Sequence, residues 1–316
     1  MPLLKINAQG PTPLPDGPAA SLESMLRRHL AAAATGPVVV LLHGYQYAPH
    51  HPTETPHRHV LSLAPDARGA RSISWPRHLG FGRARQERPE GLCIAFGWPA
   101  RGTLWQAHRR AADAGQALAA MVRMIHRIAP HRQVDVLAHS LGARVFLSAL
   151  AGMPAAAMGR AILMAAAELR STAGAAIDCP AGRAAEIFNI TSRENDPYDF
   201  LFERLIAPLS GGARSLGHGL AAPRHNWLDI QIDGEATLEA LQGLGFRISP
   251  PHRRVCHWSA YLRPGLFPFY RSLLRDRDRL TLPLLRATLP EANSRRWSRL
   301  LARPARPWPL PFRRKA

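Results

Sequence analysis

Largely apolar runs of strand length recur along the chain, separated by stretches in which apolar residues return every three or four positions. Pro37 to Leu42 is unbroken, and Leu92 to Pro99, Val134 to Leu137, Ala161 to Ala166 and Glu186 to Thr191 predict further strands. Strands that are apolar on consecutive positions must be covered on both faces, as the central strands of a parallel sheet are. Trp227 to Ile232 alternates and predicts the last strand. Helical spacing begins at Ser21, a candidate cap, and runs to the alanines before Gly36. It returns from Trp105 to Ile128, where Ala114, Leu118, Met121, Val122 and Ile125 form one stripe that Pro130 ends. Shorter helices are predicted over Ala143 to Ala151, Phe200 to Leu209 and Phe269 to Leu274. Strand, crossover helix and strand make a right-handed βαβ unit, so the predicted fold is α/β, with a mostly parallel central sheet and helices on both faces.

The remaining segments are harder to read. Leu3 to Asn7 predicts an edge strand, and the proline-rich Gly10 to Ala19 predicts a loop. Ala48 to Pro89 is rich in histidine, proline and arginine; a short helix near His57 to Leu63 and a strand or rim at Ile73 to Pro76 are the expected order within it. The pattern divides the chain into an N-terminal segment (1–36), a main domain (37–274) and an extension (275–316).

Chemistry concentrates where Val134 to Leu137 runs into Ala138-His139-Ser140-Leu141-Gly142. A strand, a sharp turn carrying serine and a helix form a nucleophile elbow, which needs small residues two before and two after the serine because the backbones approach closely. Ala138 and Gly142 meet that need. A plain helix N-cap is the competing reading of Ser140. The run Val38 to Leu42 ends in His43-Gly44-Tyr45-Gln46, where a hydrolase of this kind takes its second oxyanion donor. The expected donors are the N–H groups of Leu141 and Tyr45, with Gln46 the alternative. A carboxylate just past the next-to-last strand completes the order serine, acid, histidine. Asp196 is the expected acid, with Asp199 and Glu194 as alternatives, and His257 the expected base, with His252 as its alternative. His43, Gln46, His139 and Trp258 are expected to contact substrate. The segment 198–225, an apolar helix between glycine hinges, reads equally as a lid or as an ordinary packed helix.

Composition changes this picture little. Of 316 residues, 46% are hydrophobic, and no apolar run reaches the length of a membrane span. The Met1 to Asn7 segment lacks the pattern of a signal peptide. Three widely spaced cysteines, Cys93, Cys179 and Cys256, argue against a disulfide framework, so a reducing cytoplasm is the expected compartment. His50, His51, His57 and His59 have no accompanying cysteine or carboxylate at ligand spacing, and no metal or cofactor is expected. The formal charge is +19, and only Lys5 and Lys315 among the 41 basic residues are lysines. From Arg247 onward 17 basic residues face Asp276, Asp278 and Glu291. With Trp297 and Trp308 interleaved, this extension suggests an anionic membrane surface as a partner. No helix-turn-helix, zinc-finger or aromatic platform accompanies the charge, so nucleic acid is not expected.

Together, His43-Gly44-Tyr45, Phe96-Gly97-Trp98-Pro99-Ala100-Arg101-Gly102 and Ala138-His139-Ser140-Leu141-Gly142 resemble a poorly characterised bacterial, esterase- or lipase-like branch of the serine α/β-hydrolase superfamily. Ala100 stands where the branch has serine, and Leu141 where it has methionine. The resemblance covers Val38 to Tyr261 and implies an eight-stranded sheet and a cofactor-independent triad, here Ser140, Asp196 and His257. It implies hydrolysis of a small carboxylic ester through an acyl-enzyme on Ser140. The competing reading is a silent member of the fold that docks to an anionic membrane or partner through its basic tail.

Overall fold

Eight strands lie side by side in one sheet. The computed structural model describes residues 3–18, 21–66, 73–82, 89–207, 212–291 and 294–301. The strands are β1 (Leu3–Gln9), β2 (Thr12–Pro15), β3 (Val38–Leu42), β4 (Leu92–Gly97), β5 (Val134–His139), β6 (Met158–Met164), β7 (Glu186–Thr191) and β8 (Trp227–Gln231), in spatial order β2-β1-β4-β3-β5-β6-β7-β8. Every neighbouring pair is parallel except β1 with β2. Their C-terminal ends therefore align along one rim. Leu42 sits opposite Ala138, and Ala138 opposite Leu163.

Helices cover both faces, as the doubly apolar strands require. On one face Val38, Val40 and Leu42 pack with α1 (Leu22–Ala32), α3 (Leu104–Ile128), α4 (Leu141–Ala149), α5 (Arg170–Ile177) and α6 (Pro180–Ala184). On the other, Val39 and Leu41 pack with α2 (Trp75–His78), α8 (Glu235–Gly243), α9 (Ser259–Leu262) and α10 (Leu266–Arg275). The amphipathic α7 (Asp196–Ile206) follows β7 at the rim. Helix α3 starts in a capping box between Thr103 and Gln106, which satisfies two otherwise orphaned N–H groups, and stops before Pro130.

Several local expectations are corrected. Leu3–Gln9 is an inner strand, because Thr12–Pro15, expected as loop, turns back and takes the edge. Its two prolines are tolerated there, since an edge strand has one row of N–H groups that need not be bonded. Around Trp75 the chain forms a helix capped by Ser74 rather than a strand, and near His57 only a short 3-10 turn, Pro56–Arg58, forms. Beyond Arg275 the chain keeps folding: α11 (Leu282–Thr288) buries Leu282 and Leu285, and α12 (Ser298–Leu301) follows. Residues 302–316, including Trp308, lie outside the described residues, as do 208–211 of the segment read as a lid. No described helix is long and apolar enough to cross a membrane.

Candidate active site

The turn at Ser140 is shaped by close backbone approach. Its φ is 55°, a left-handed value uncommon for a residue with a side chain. A Cβ on Gly142 would stand 2.6 Å from the Leu42 carbonyl oxygen, so only glycine lets α4 leave the strand at this angle. The serine N–H donates to the Met164 carbonyl (3.0 Å), and its own carbonyl receives the Ala167 N–H (3.1 Å). The elbow is thus pinned to the end of β6.

His257 lies 3.0 Å from Ser140, Nε2 to Oγ. Its other nitrogen, Nδ1, is 2.7 Å from Oδ1 of Asn195. An amide oxygen accepts only, so Nδ1 carries the proton and Nε2 is left as the acceptor for the serine hydroxyl. The histidine loop is held from three sides. Tyr198 stacks on the imidazole with centroids 4.9 Å apart, the His139 ring donates from Nε2 to the His257 carbonyl (3.2 Å), and the Cys256 N–H donates to the Glu194 carbonyl (2.9 Å). Burial, and secondarily His139, hold the His257 imidazole well below the usual histidine range. The ring is therefore neutral at pH 7, with Nε2 able to accept a proton.

Asp196, the expected acid, does not reach His257. It is fully buried one residue further on, as the first residue of α7, where it pairs with Arg193 (3.1 Å) and accepts the Trp297 N–H (2.6 Å). The position behind the histidine belongs to Asn195. The order serine, acid, histidine predicts a carboxylate here, and the amide beside it is outside that pattern. The signal that was present is positional: Asn195 stands just before a helix whose second residue is Pro197, and its side chain makes no capping bond. Of the alternatives, Glu194 is buried against Arg263, and His252 is exposed. Asp199 is buried behind Asn195. Burial pushes its carboxyl up to about 7, opposed chiefly by Arg193. Asn195 presents its side-chain oxygen to the imidazole.

The N–H of Gln46 is spent on the Ala100 carbonyl (3.0 Å), which removes it as a donor. Tyr45 precedes it with an N–H that no described carbonyl takes, and its hydroxyl is anchored on the Gly102 carbonyl. Leu141, first residue of α4, has one of the orphan N–H groups of a helix start. Gly44 brings this loop close: a Cβ there would stand 2.8 Å from the Ser140 Cβ. His43 is not available to substrate. It is wholly buried, its Nε2 accepts the Trp98 N–H (3.0 Å), and its ring stacks on the Trp98 indole.

A cavity of about 840 Å³ opens over Ser140, and Tyr45, Gln46, Leu141, His139, His257 and Trp258 all line it. So do Leu104, Leu201, Phe202 and Leu205, which sequence reasoning did not assign because they come from two distant helices. The helix expected as lid or packed element is thus a cavity wall. Among the described residues no group of histidine, cysteine and carboxylate side chains could hold a metal ion, and the three cysteines are free.

The parallel sheet, the elbow at the end of β5 and the loop after β3 define an α/β hydrolase. In agreement with that fold, residues 18–170 match the model of a family described as "Alpha/beta hydrolase of unknown function (DUF900)". Among solved structures it is similar to the catalytic core domain of acetyl xylan esterase from Trichoderma reesei, with 16% identity and a TM-score of 0.27. That likeness covers 42% of this chain and 64% of the esterase domain, a little under two thirds of its length. No curated protein matches the chain.

Proposed function

We propose that this hydrolase cleaves carboxylic esters through an acyl-enzyme on Ser140. The observation that carries the reading is the alignment of Ser140 Oγ, His257 Nε2 at 3.0 Å, and Asn195 on Nδ1. As Oγ attacks the ester carbonyl, Nε2 takes its proton, and the oxygen that becomes negative is received by the N–H groups of Tyr45 and Leu141. Collapse of this adduct expels the alcohol, which takes the proton back from Nε2. Water then repeats the sequence, giving up a proton to His257 and releasing the acid with Ser140 restored. Each oxyanion donor contributes on the order of 3 kcal/mol to lowering the barrier. Asn195 orients the ring in the tautomer the reaction needs. Being neutral, it leaves the imidazolium of the transition state without an adjacent counter-charge.

The test is labelling with a fluorophosphonate, mapped by mass spectrometry, with turnover of p-nitrophenyl esters of increasing chain length. Modification at Ser140 and loss of turnover in folded Ser140→Ala are expected. Undiminished turnover in that variant, or no labelling of folded wild type, overturns the reading.

A further inference from the structure

The cavity reverses the charge character of the chain. Against 22 acidic residues the protein has 41 lysines and arginines, yet no described residue lining the cavity is either. Its one acidic side chain is Glu54. The Glu54 backbone is fixed: its carbonyl accepts the Ala48 N–H and its N–H donates to His51 Nδ1, both at 3.0 Å. The half-buried carboxylate itself is given no hydrogen bond or ion pair by any described residue. Elsewhere arginines hold Glu168, Glu186, Glu194 and Glu203. An unpaired carboxylate on a cavity wall of so basic a protein calls for a partner from outside.

Rings share this part of the wall. Tyr47 and His59 meet edge to face at 5.7 Å, and Trp75 and Tyr261 at 5.3 Å. Trp75 and Tyr261 belong to the core on one face of the sheet, whereas Leu104, Ala167 and Phe202 belong to the other. Ser140 lies at the rim between them, so the cavity has one side where Leu104 and Ala167 accompany Phe202 and another, aromatic side where Trp75, Tyr261 and Tyr47 cluster; Glu54 adjoins the second, since its carbonyl is bonded to the N–H of Ala48, next to Tyr47.

We propose that the aromatic side, with Glu54, receives a cationic group, and that the substrates are aliphatic esters of an ammonium-bearing alcohol. This rests on the esterase reading of Ser140. Ring faces attract cations through their quadrupole, and a carboxylate nearby adds a direct Coulombic attraction. The net charge of +19 opposes approach from afar, but salt screens it over about 8–10 Å, so the bound cation is governed by the groups it touches. A sugar would need several converging donors and acceptors. An anionic alcohol would face Glu54 with no lysine or arginine among the described residues that line the cavity to compensate.

Butyrylcholine and 3,3-dimethylbutyl butyrate test this, since they differ only in a quaternary nitrogen against a carbon. The expected ratio of their kcat/KM values is on the order of tenfold in favour of the cation, falling to about threefold or less in Glu54→Gln, where only the rings remain. A ratio of one or below in the wild type, or one unmoved by Glu54→Gln, overturns the proposal. Calorimetric titration of the full chain with tetramethylammonium separates this inference from the esterase reading. If neither ester turns over, the labelling of Ser140 decides the esterase reading by itself, and saturable binding that Glu54→Gln weakens still supports the cation site. Absence of binding at millimolar concentration sinks it.

Discussion

Replacing Asn195 by alanine isolates what the group behind His257 contributes. The substitution removes an acceptor 2.7 Å from Nδ1 and leaves the contact between Oγ and Nε2 in place. A buried N–H deprived of its acceptor costs about 1–3 kcal/mol. The cost is larger in the transition state than in the ground state, because the ring is then positive and a hydrogen bond from a charged donor is the stronger one. Most of the loss therefore falls on kcat, about 10- to 100-fold at about 1.4 kcal/mol per decade, with KM changed little. It stays short of the roughly 10,000-fold loss that follows a triad aspartate's replacement, because the amide carries no charge to lose. Asp196→Asn is the contrasting variant. It breaks a buried pair with Arg193, so about 3–5 kcal/mol of stability is at stake, while kcat per folded molecule stays within a few fold. Steady-state kinetics normalised to fluorophosphonate-titrated sites, beside thermal melts, reads both quantities. Near-normal kcat in Asn195→Ala, or a deeper loss of kcat in folded Asp196→Asn, would refute the assignment of the amide.

Three further outcomes follow from the same geometry. Asp199, raised to about 7, is neutral at pH 6 and negative at pH 8; its charge behind Asn195 then steadies the imidazolium, so kcat/KM rises through pH 7 and that inflection vanishes in Asp199→Asn. Gly142→Ala places a methyl 2.6 Å from a fixed carbonyl oxygen and is expected to lose soluble folded protein, as overpacking by at least about 1–3 kcal/mol would dictate; a normal melting curve would contradict it. Phe202→Ala enlarges the side of the cavity that it shares with Leu104, so the optimal p-nitrophenyl ester should lengthen by a few carbons, and an unchanged optimum would place the acyl chain elsewhere.

The parts of this molecule that were legible in the sequence are those fixed by local pattern. A strand buried on both faces spares few polar positions, so Val38–Leu42 and Leu92–Gly97 announce themselves, as does the small-residue turn around Ser140 that ends Val134–His139. The edge strand Thr12–Pro15 was hidden by its prolines, whose missing N–H groups matter only inside a sheet. His43 looked like a rim residue, but its hydrogen bonds to strand-end backbone 55 positions away are a tertiary fact. Asn195 and Asp196 differ by one position in the chain and by a helix start in space, and no periodicity distinguishes them. The cavity walls join residues more than 90 positions apart, Leu104 with Leu201 among them, which only packing brings together.

The buried histidines around the site also set how the whole protein meets acid. His43 is lowered to about 3, His57 and His139 to about 4, and His257 lies well below its usual value, in each case chiefly through burial. In the unfolded chain all four titrate near 6.5, so below that pH the unfolded state binds protons that the native state refuses. Stability is therefore intact above about pH 6.5 and drains as the pH falls toward 4, by up to about 1.4 kcal/mol per pH unit for each histidine. Asp199, whose carboxyl is raised to about 7, works in the opposite sense and offsets part of this loss as the pH falls. Acid therefore weakens the fold through the histidines packed around the cavity, while the His257 imidazole itself stays neutral in place.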